Sequence, residues 1–257
     1  MRSGVPYLDT SYPRVLAHRG LAVGAPENTL LAFLKALAAG ATHVETDVQT
    51  SADGVAMISH DPDLKRLVHR DARVGDLTVD ELQQIDLGVG QTFCTLGEAL
   101  ETFPDARFNI DIKDERSAAT ATRAITAANA IDRVLITSFS QARRRAAVEL
   151  LPGVASSASM SGVIGAVVGA AIGSRRRVAA SLADVVAVQV PVRQYHVKIV
   201  TRRFIDAVHA AGREVHVWTV NDVATMVALL DAGVDGLVTD RTDLAVDLIR
   251  QRSGSRS

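Results

Sequence analysis

From residue 14 onward, short apolar runs alternate with longer stretches in which apolar positions recur every three or four residues, the two periods of buried strands and amphipathic helices. The first cycle is compact. RVLAH at 14–18 reads as a strand, and 29–39 reads as a helix with Leu30, Phe33, Leu34 and Leu37 on one face and Gly40 as its stop. The β-branched HVETDV at 43–48 reads as a second strand, completing the unit a parallel sheet requires. Asp53-Gly54 is a hairpin signal, so 55–60 should fold back on that strand. The alternation lapses over 62–94, a charged segment that carries no recognisable chemistry. Its one helical signal is 78–85, where Thr78 and Glu81 form a capping box.

Helices at 95–103, 117–130, 141–151, 162–173, 201–211, 222–232 and 244–250 then alternate with strands at 107–113, 133–138, 154–159, 184–190, 214–220 and 236–239. With the hairpin return set aside, eight strands separated by helices predict a (β/α)8 TIM barrel with a β-hairpin extension after strand 2. A doubly wound sheet is the alternative. The chain is read as a single domain over 1–257, with 251–257 as a flexible tail.

Composition supports a large core. Of 257 residues 47% are hydrophobic and only 4% aromatic, so Val, Ala and Leu must fill it. A net charge of −1 argues against a nucleic-acid partner, and any anion must be met by local groups. The arginine runs at 143–145 and 175–177 read as solvated helix faces or ends. The lone Cys94 excludes a disulfide within the chain, and the first residues lack the apolar core of a signal peptide, so a cytoplasmic protein is expected. The longest apolar stretch, 163–172, is short of the ~20 residues that cross a bilayer and reads as a buried helix.

The candidate chemistry gathers at strand ends. Glu45 and Asp47, two apart on a strand, point the same way with Cα atoms about 7 Å apart. Two carboxylates aimed into one space repel unless a cation lies between them, and an all-oxygen site suits Mg²⁺ or Ca²⁺. The competing reading puts them on the solvent face of an edge strand. His18 ends the first strand and is followed by Arg19-Gly20, where the planar fork of Arg19 suits a phosphate. His60 ends the hairpin return. Asp111 and Lys113 repeat the two-residue spacing, and Ser138, Trp218 and Asp240 also fall at strand ends, the face of a barrel that carries active sites. Trp218 is either core or an apolar wall, Ser138 has no base beside it, and Asn28 in PENT reads as a turn and helix start.

In order and spacing, HRG (18–20), PENT (26–29), E-x-D-V (45–48), DG (53–54), HD (60–61), TLGEAL (95–100), FNIDIK (108–113), VWTVN (217–221) and GVDGLVTDRTD (233–243) resemble the glycerophosphodiester phosphodiesterases over nearly the whole chain. The resemblance implies a metal-dependent hydrolysis of glycerophosphodiesters to sn-glycerol 3-phosphate and an alcohol. It implies His18 and His60 as general acid and base, in an order left open. By the same likeness Glu45, Asp47 and Asp111 are the expected metal ligands, with Arg19, Lys113 and Trp218 as substrate contacts. Mg²⁺ or Ca²⁺ is the expected cofactor, and the partner is a small glycerophosphodiester, with no nucleic acid and no stable membrane insertion. Two departures stand out. Asp111 replaces the family's usual Glu, and Cys94, read as packing, replaces a common Pro. A lysophospholipase D on the same barrel would need an apolar surface for an acyl chain, of which the short 62–94 segment offers little. A catalytically silent phosphodiester-binding barrel is the other alternative.

Overall fold

The computed structural model describes residues 4–194 and 196–254. Eight parallel strands form the barrel: β1 Arg14–His18, β2 His43–Thr50, β3 Phe108–Ile112, β4 Val134–Thr137, β5 Ala155–Ser156, β6 Ala187–Pro191, β7 Glu214–Trp218 and β8 Gly236–Thr239. Pairing runs in the order β5-β4-β3-β2-β1-β8-β7-β6. A single parallel bridge, Ser157 to Ala187, closes the ring, reinforced by the Val186 amide on the Ser156 carbonyl at 2.8 Å. The expected strand over 154–159 is therefore only two residues long. Small Ala and Ser side chains leave it little to pack, and the chain turns away after the bridge.

Alternation along each strand divides the two faces of the wall. Val44, Val48, Phe108, Ile110 and Ile112 point outward into a core shared with α1 (Leu30–Ala39), α2 (Leu96–Thr102) and α3 (Ser117–Ala127). A second outer core forms on the far side beneath α5 (Met160–Ala171), α7 (Arg202–Ala210), α8 (Val223–Asp231) and α9 (Thr242–Gly254). Between these helices lie α4 (Gln141–Leu150) and α6 (Arg175–Ser181). The inner face is polar. At the closed end Arg14 binds Glu214 at 2.7 Å, and Glu214 accepts from His216 at 3.0 Å. One layer above, Asn109 donates to Gln189 at 3.3 Å.

The hairpin forms as expected, with Thr50 opposite Ala56 and Val48 opposite Ile58, although its return strand is only Ala56–Ile58. Residues 62–94 close over it with a small core of Leu64, Val74, Leu82 and Phe93 around Met57. The capping box of Thr78 and Glu81 is present.

Some expectations are corrected. The buried face of α1 is set by Ala32, Phe33 and Ala36, leaving Leu34 exposed. Arg144, expected on a solvated face, is 1% exposed because its guanidinium is held by Ser156, Gln141 and Asp184. The arginines at 175–177 open a helix of their own, α6. The last helix runs through Gly254, beyond the expected end at Arg250, and residues 255–257 of the expected tail lie outside the described residues. The 163–172 stretch is not buried all round: Ile164 is 55% exposed and Val168 36%.

Candidate active site

At the C-terminal ends of the strands a cavity of about 360 Å³ is lined by His18, Arg19, Glu45, Asp47, His60, Asp111, Lys113 and Trp218. All eight expected site residues meet there. Register is the reason. His18 lies opposite Glu45, Asp47 opposite Asp111, and Asp111 opposite Thr137.

The turn after β1 fixes the first wall. Arg19 and Gly20 both take positive φ, 55° and 83°. A Cβ on Gly20 would lie 2.7 Å from the backbone of Ala32, so glycine alone lets α1 pack this close. The Arg19 amide donates to Glu45 at 3.0 Å, its Nη1 donates to Glu27 at 2.9 Å, and its Nε stands 3.3 Å from Asp47. Asn28, also in the left-handed region at φ 56°, donates to Asp47 at 3.0 Å while its own carbonyl accepts from Thr46 at 2.8 Å. Asn28 is therefore more than a helix start: it aims a carboxylate. The sequence signal was its place in PENT, where a turn residue and an orienting residue look the same.

Three carboxylates are buried together, Glu45, Asp47 and Asp111. Lys113 Nζ sits 2.8 Å from Asp47 and 2.6 Å from the Oδ2 of Asp111. Burial works against ionisation at all three, and they answer it differently. For Asp47 the Lys113 ammonium prevails and the pKa is lowered. For Asp111 burial prevails and the pKa is raised. Glu45, desolvated and repelled by Asp47, is pushed up to about 7. Lys113 is half-buried, and the two aspartates outweigh the cost of its desolvation and raise its pKa.

Among the described residues no group of three or more His, Cys, Asp and Glu is arranged to hold a metal ion as it stands. The chemistry of the donors nevertheless fits a hard divalent cation. All are carboxylate oxygens, the buried Oδ1 of Asp111 has no partner, and Glu45 lacks a cationic one close enough to keep its carboxyl in the usual acidic range.

Each histidine is held by a carboxylate through Nδ1, His18 by Asp240 at 2.7 Å and His60 by Asp61 at 2.7 Å. Asp240 in turn accepts from Asn221 at 2.7 Å. Asp61 accepts from Arg66 Nε at 2.5 Å, and the other end of Arg66 grips Glu27, the partner of Arg19. The 62–94 segment thus does reach the site, through Arg66. Burial disfavours the His18 imidazolium, yet the Asp240 hydrogen bond and the Glu45 charge more than compensate, and its pKa is raised.

The opposite wall is apolar. Trp218 is half-buried at the mouth, not in the core, and meets the ring of Phe139 edge-on at 5.9 Å. Beside Phe139 stands α5. Ser138 is buried with its hydroxyl donated to the Ile112 carbonyl at 2.8 Å, which leaves it no nucleophilic role. Cys94 is buried and its thiol pushed up to about 12 by desolvation, as packing requires.

The sequence profile of the glycerophosphoryl diester phosphodiesterase family matches residues 18–244, from the first site histidine to just beyond Asp240. The chain belongs to this family. A Mycobacterium tuberculosis protein named probable glycerophosphodiester phosphodiesterase 2 is 40% identical over 239 residues, covering 92% of this chain and 90% of its own. An Oleispira antarctica phosphodiesterase solved with its product sn-glycerol-3-phosphate is 25% identical, with a TM-score of 0.78 over 93% of this chain and 97% of its own. The glycerophosphodiester phosphodiesterase of Thermotoga maritima is 29% identical, with a TM-score of 0.72 over 91% of this chain and 97% of its own. As a glycerophosphodiester phosphodiesterase this chain is a phosphoric diester hydrolase, and among the described residues no helix is long and apolar enough to cross a membrane.

Proposed function

We propose that this phosphodiesterase hydrolyses glycerophosphodiesters to sn-glycerol 3-phosphate and an alcohol in a metal-dependent reaction, with His18 and His60 as its acid and base. The observation that carries the reading is the pairing of the two imidazoles. Both line the same cavity, and both are fixed through Nδ1 by a carboxylate, so Nε2 is the nitrogen left to each for proton transfer.

Glu45, Asp47 and Asp111 would hold the cation. When bound it supplies Lewis-acid charge to the phosphoryl oxygens, with Mg²⁺ and Ca²⁺ as the candidates for an all-oxygen shell. The remaining work falls to the chain's own groups. Arg19 and Lys113 bring positive charge to the phosphate, where a developing dianion gains most from preorganised donors. One imidazole takes the proton of the attacking oxygen as the P–O bond forms. The other gives a proton to the leaving alkoxide as the second P–O bond breaks, so the histidines end one turnover with their protonation exchanged. Asp240 and Asp61 keep the tautomers that make this exchange possible. Trp218 provides the flat apolar face on which the glycerol rests. A cytoplasmic setting accompanies this reading, in keeping with a single buried thiol.

The direct test is a screen of purified protein against glycerophosphocholine, glycerophosphoethanolamine and glycerophosphoglycerol, with release of sn-glycerol 3-phosphate as the readout. Turnover that disappears with EDTA and returns with Mg²⁺ or Ca²⁺ is expected. Full activity after exhaustive chelation would remove the metal from the mechanism, and no turnover of any member would remove the reaction.

A further inference from the structure

Beside the mouth of the cavity the surface carries two features that hydrolysis of a phosphodiester does not call for. The first is apolar. Met160, Ile164, Val168 and Ile172 stand four residues apart along α5 and its C-cap, so they form one stripe about 18 Å long. Ile164 is 55% exposed and Ile172 64%, although both are large. Phe139, also half-exposed, extends the stripe at its start, where its carbonyl accepts from the Met160 amide at 3.2 Å. Packing holds the stripe open. Gly165 and Gly169 put one side of α5 hard against α6, where a Cβ on Gly169 would lie 2.8 Å from Val178, and Ala166 and Ala170 turn another side to the core. With those two sides taken up, the large side chains are left facing out.

The second feature is charge. Residues 160–203 include seven Lys and Arg and one acid, whereas acids outnumber bases in the rest of the chain. The acid, Asp184, is claimed by Arg144, and Arg202 is paired with Asp206 at 3.0 Å. That leaves Arg175, Arg176, Arg177, Arg193, Lys198 and Arg203. All six are exposed, and among the described residues none has a carboxylate partner. They border the stripe. The three arginines at 175–177 open α6, which lies along one side of α5. Arg193 and Lys198 stand opposite each other in a short hairpin, whose neighbouring Gln194 and Ile199 share the cavity wall with Ile164 and Val168. Arg203 closes the far end, its guanidinium 3.1 Å from where a Cβ on Gly173 would lie.

We infer that the α5 stripe and the cations around it dock this protein on the surface of an anionic lipid bilayer. The pattern fits a bilayer better than an acidic protein. A protein partner needs a shaped seat, whereas a bilayer needs apolar side chains that reach past the headgroups and cations at headgroup level beside them. The stripe supplies the first with no carboxylate among its members, and the six unpaired cations supply the second. The docking is peripheral, since among the described residues no helix is long and apolar enough to cross a membrane. It goes beyond the reaction proposed for the cavity and does not depend on it. Its use is positional. A glycerophosphodiester is what remains of a phospholipid once both acyl esters are hydrolysed, a class of reaction that runs at a bilayer, so docking brings the cavity to where such a substrate is released.

Co-sedimentation of the full chain with sucrose-loaded vesicles tests this, using phosphatidylcholine alone and an equimolar mixture of phosphatidylcholine and phosphatidylglycerol. The protein should sediment with the mixture and far less with phosphatidylcholine. Arg193→Ala combined with Lys198→Ala should weaken binding by about 25-fold, about fivefold for each charge removed near the surface. Ile172→Ser should weaken it by about tenfold through lost apolar burial, and that loss should persist as salt is raised and the charges are screened. None of these three side chains lines the cavity, so turnover of soluble glycerophosphocholine and Tm should match the parent in both variants. If no protein hydrolyses glycerophosphocholine but the vesicle results hold, the docking stands and the reaction reading fails. Equal binding to the two vesicle types, or binding to the mixture that Ile172→Ser leaves untouched, would overturn the inference and leave the phosphodiesterase reading intact. So would the absence of vesicle binding, whether the chain instead binds polyglutamate, which would assign the surface to an acidic protein, or forms a dimer that Ile172→Ser dissociates, which would assign it to a second copy.

Discussion

Asp240 accepts a hydrogen bond from His18 Nδ1 at 2.7 Å and is itself held by the Asn221 side chain at 2.7 Å, so the imidazole at the end of β1 is positioned from β8 and from the loop after β7. This contact crosses 222 residues of sequence. Removing its charge has a defined sign. The Asp240 hydrogen bond and charge are among the influences that raise the His18 pKa against burial, so Asp240→Asn should lower it. The pH limb of kcat/KM that reports His18 should move down, and kcat should fall by about 10- to 100-fold. A loss of thermal stability with an unmoved limb would make Asp240 a structural residue only.

For the histidines themselves the expectation is kinetic, not structural. His18→Ala and His60→Ala should each reduce kcat by at least about 10²-fold, the scale of a lost general acid or base. Both side chains are partly open to the cavity, so the thermal transition should shift little. A large drop in stability with only a modest drop in rate would favour packed histidines instead.

The barrel and its chemistry were legible from sequence to different depths. Strand-end residues such as His18, Glu45, Asp47 and Asp111 could be placed because period and register follow from local pattern. The place of Asp240 at a strand end was legible as well, but its hold on His18 across 222 positions was not. Asn28, Asn221 and Arg66 act through contacts that cross from 5 to 39 positions, and no local pattern distinguishes them from turn and surface residues. Helix α5 misled for a related reason. A run of Val, Ile, Ala and Gly is apolar on every side, and only the packing of its glycines on α6 reveals which side is left uncovered. Arg144 was hidden in the same way, since a run of three arginines gives no hint that the middle one is claimed by Ser156 and Asp184.

Glu45 links the cation to pH. Its carboxyl is pushed up to about 7 in the folded chain, chiefly by burial and next by Asp47. Between its unfolded value near 4.5 and about 7 the folded state binds the extra proton. Stability from this group is therefore lost as pH rises through that window, by on the order of 3 kcal/mol. A divalent cation competes with the same proton and offsets the loss. Cation affinity should thus increase from pH 5 to pH 8, and the gain in Tm on adding Mg²⁺ or Ca²⁺ should grow with it. In Glu45→Gln the pH dependence of that gain should flatten. Asp235, also raised to about 7 by burial, lies away from the cavity, so its own loss of stability over the same pH window should persist in the variant, with or without cation. Cation affinity that is flat with pH in the parent would separate Glu45 from the metal.

The last prediction turns on the two oxygens of Asp111. Oδ2 is tied to Lys113 at 2.6 Å, while Oδ1 is buried with no partner. An unpaired buried oxygen costs stability, and burial already raises the Asp111 pKa, so the cation-free protein carries this carboxylate at a loss. Asp111→Asn should leave the Tm of the chelated protein unchanged or higher, because a neutral amide is easier to bury. It should also weaken cation binding and turnover, because the shell loses a charge. Asp111→Glu keeps the charge and adds reach, so it should bind the cation at least as tightly as the parent. The two variants should therefore diverge in cation affinity, Asp111→Asn falling below the parent and Asp111→Glu not, a pattern that loss of packing at one site would not produce. Calorimetric titration of the three proteins, alongside their Tm values in EDTA, measures both effects. If Asp111→Asn binds cation and turns over substrate like the parent, Asp111 serves only to anchor Lys113, and the cation rests on Glu45 and Asp47.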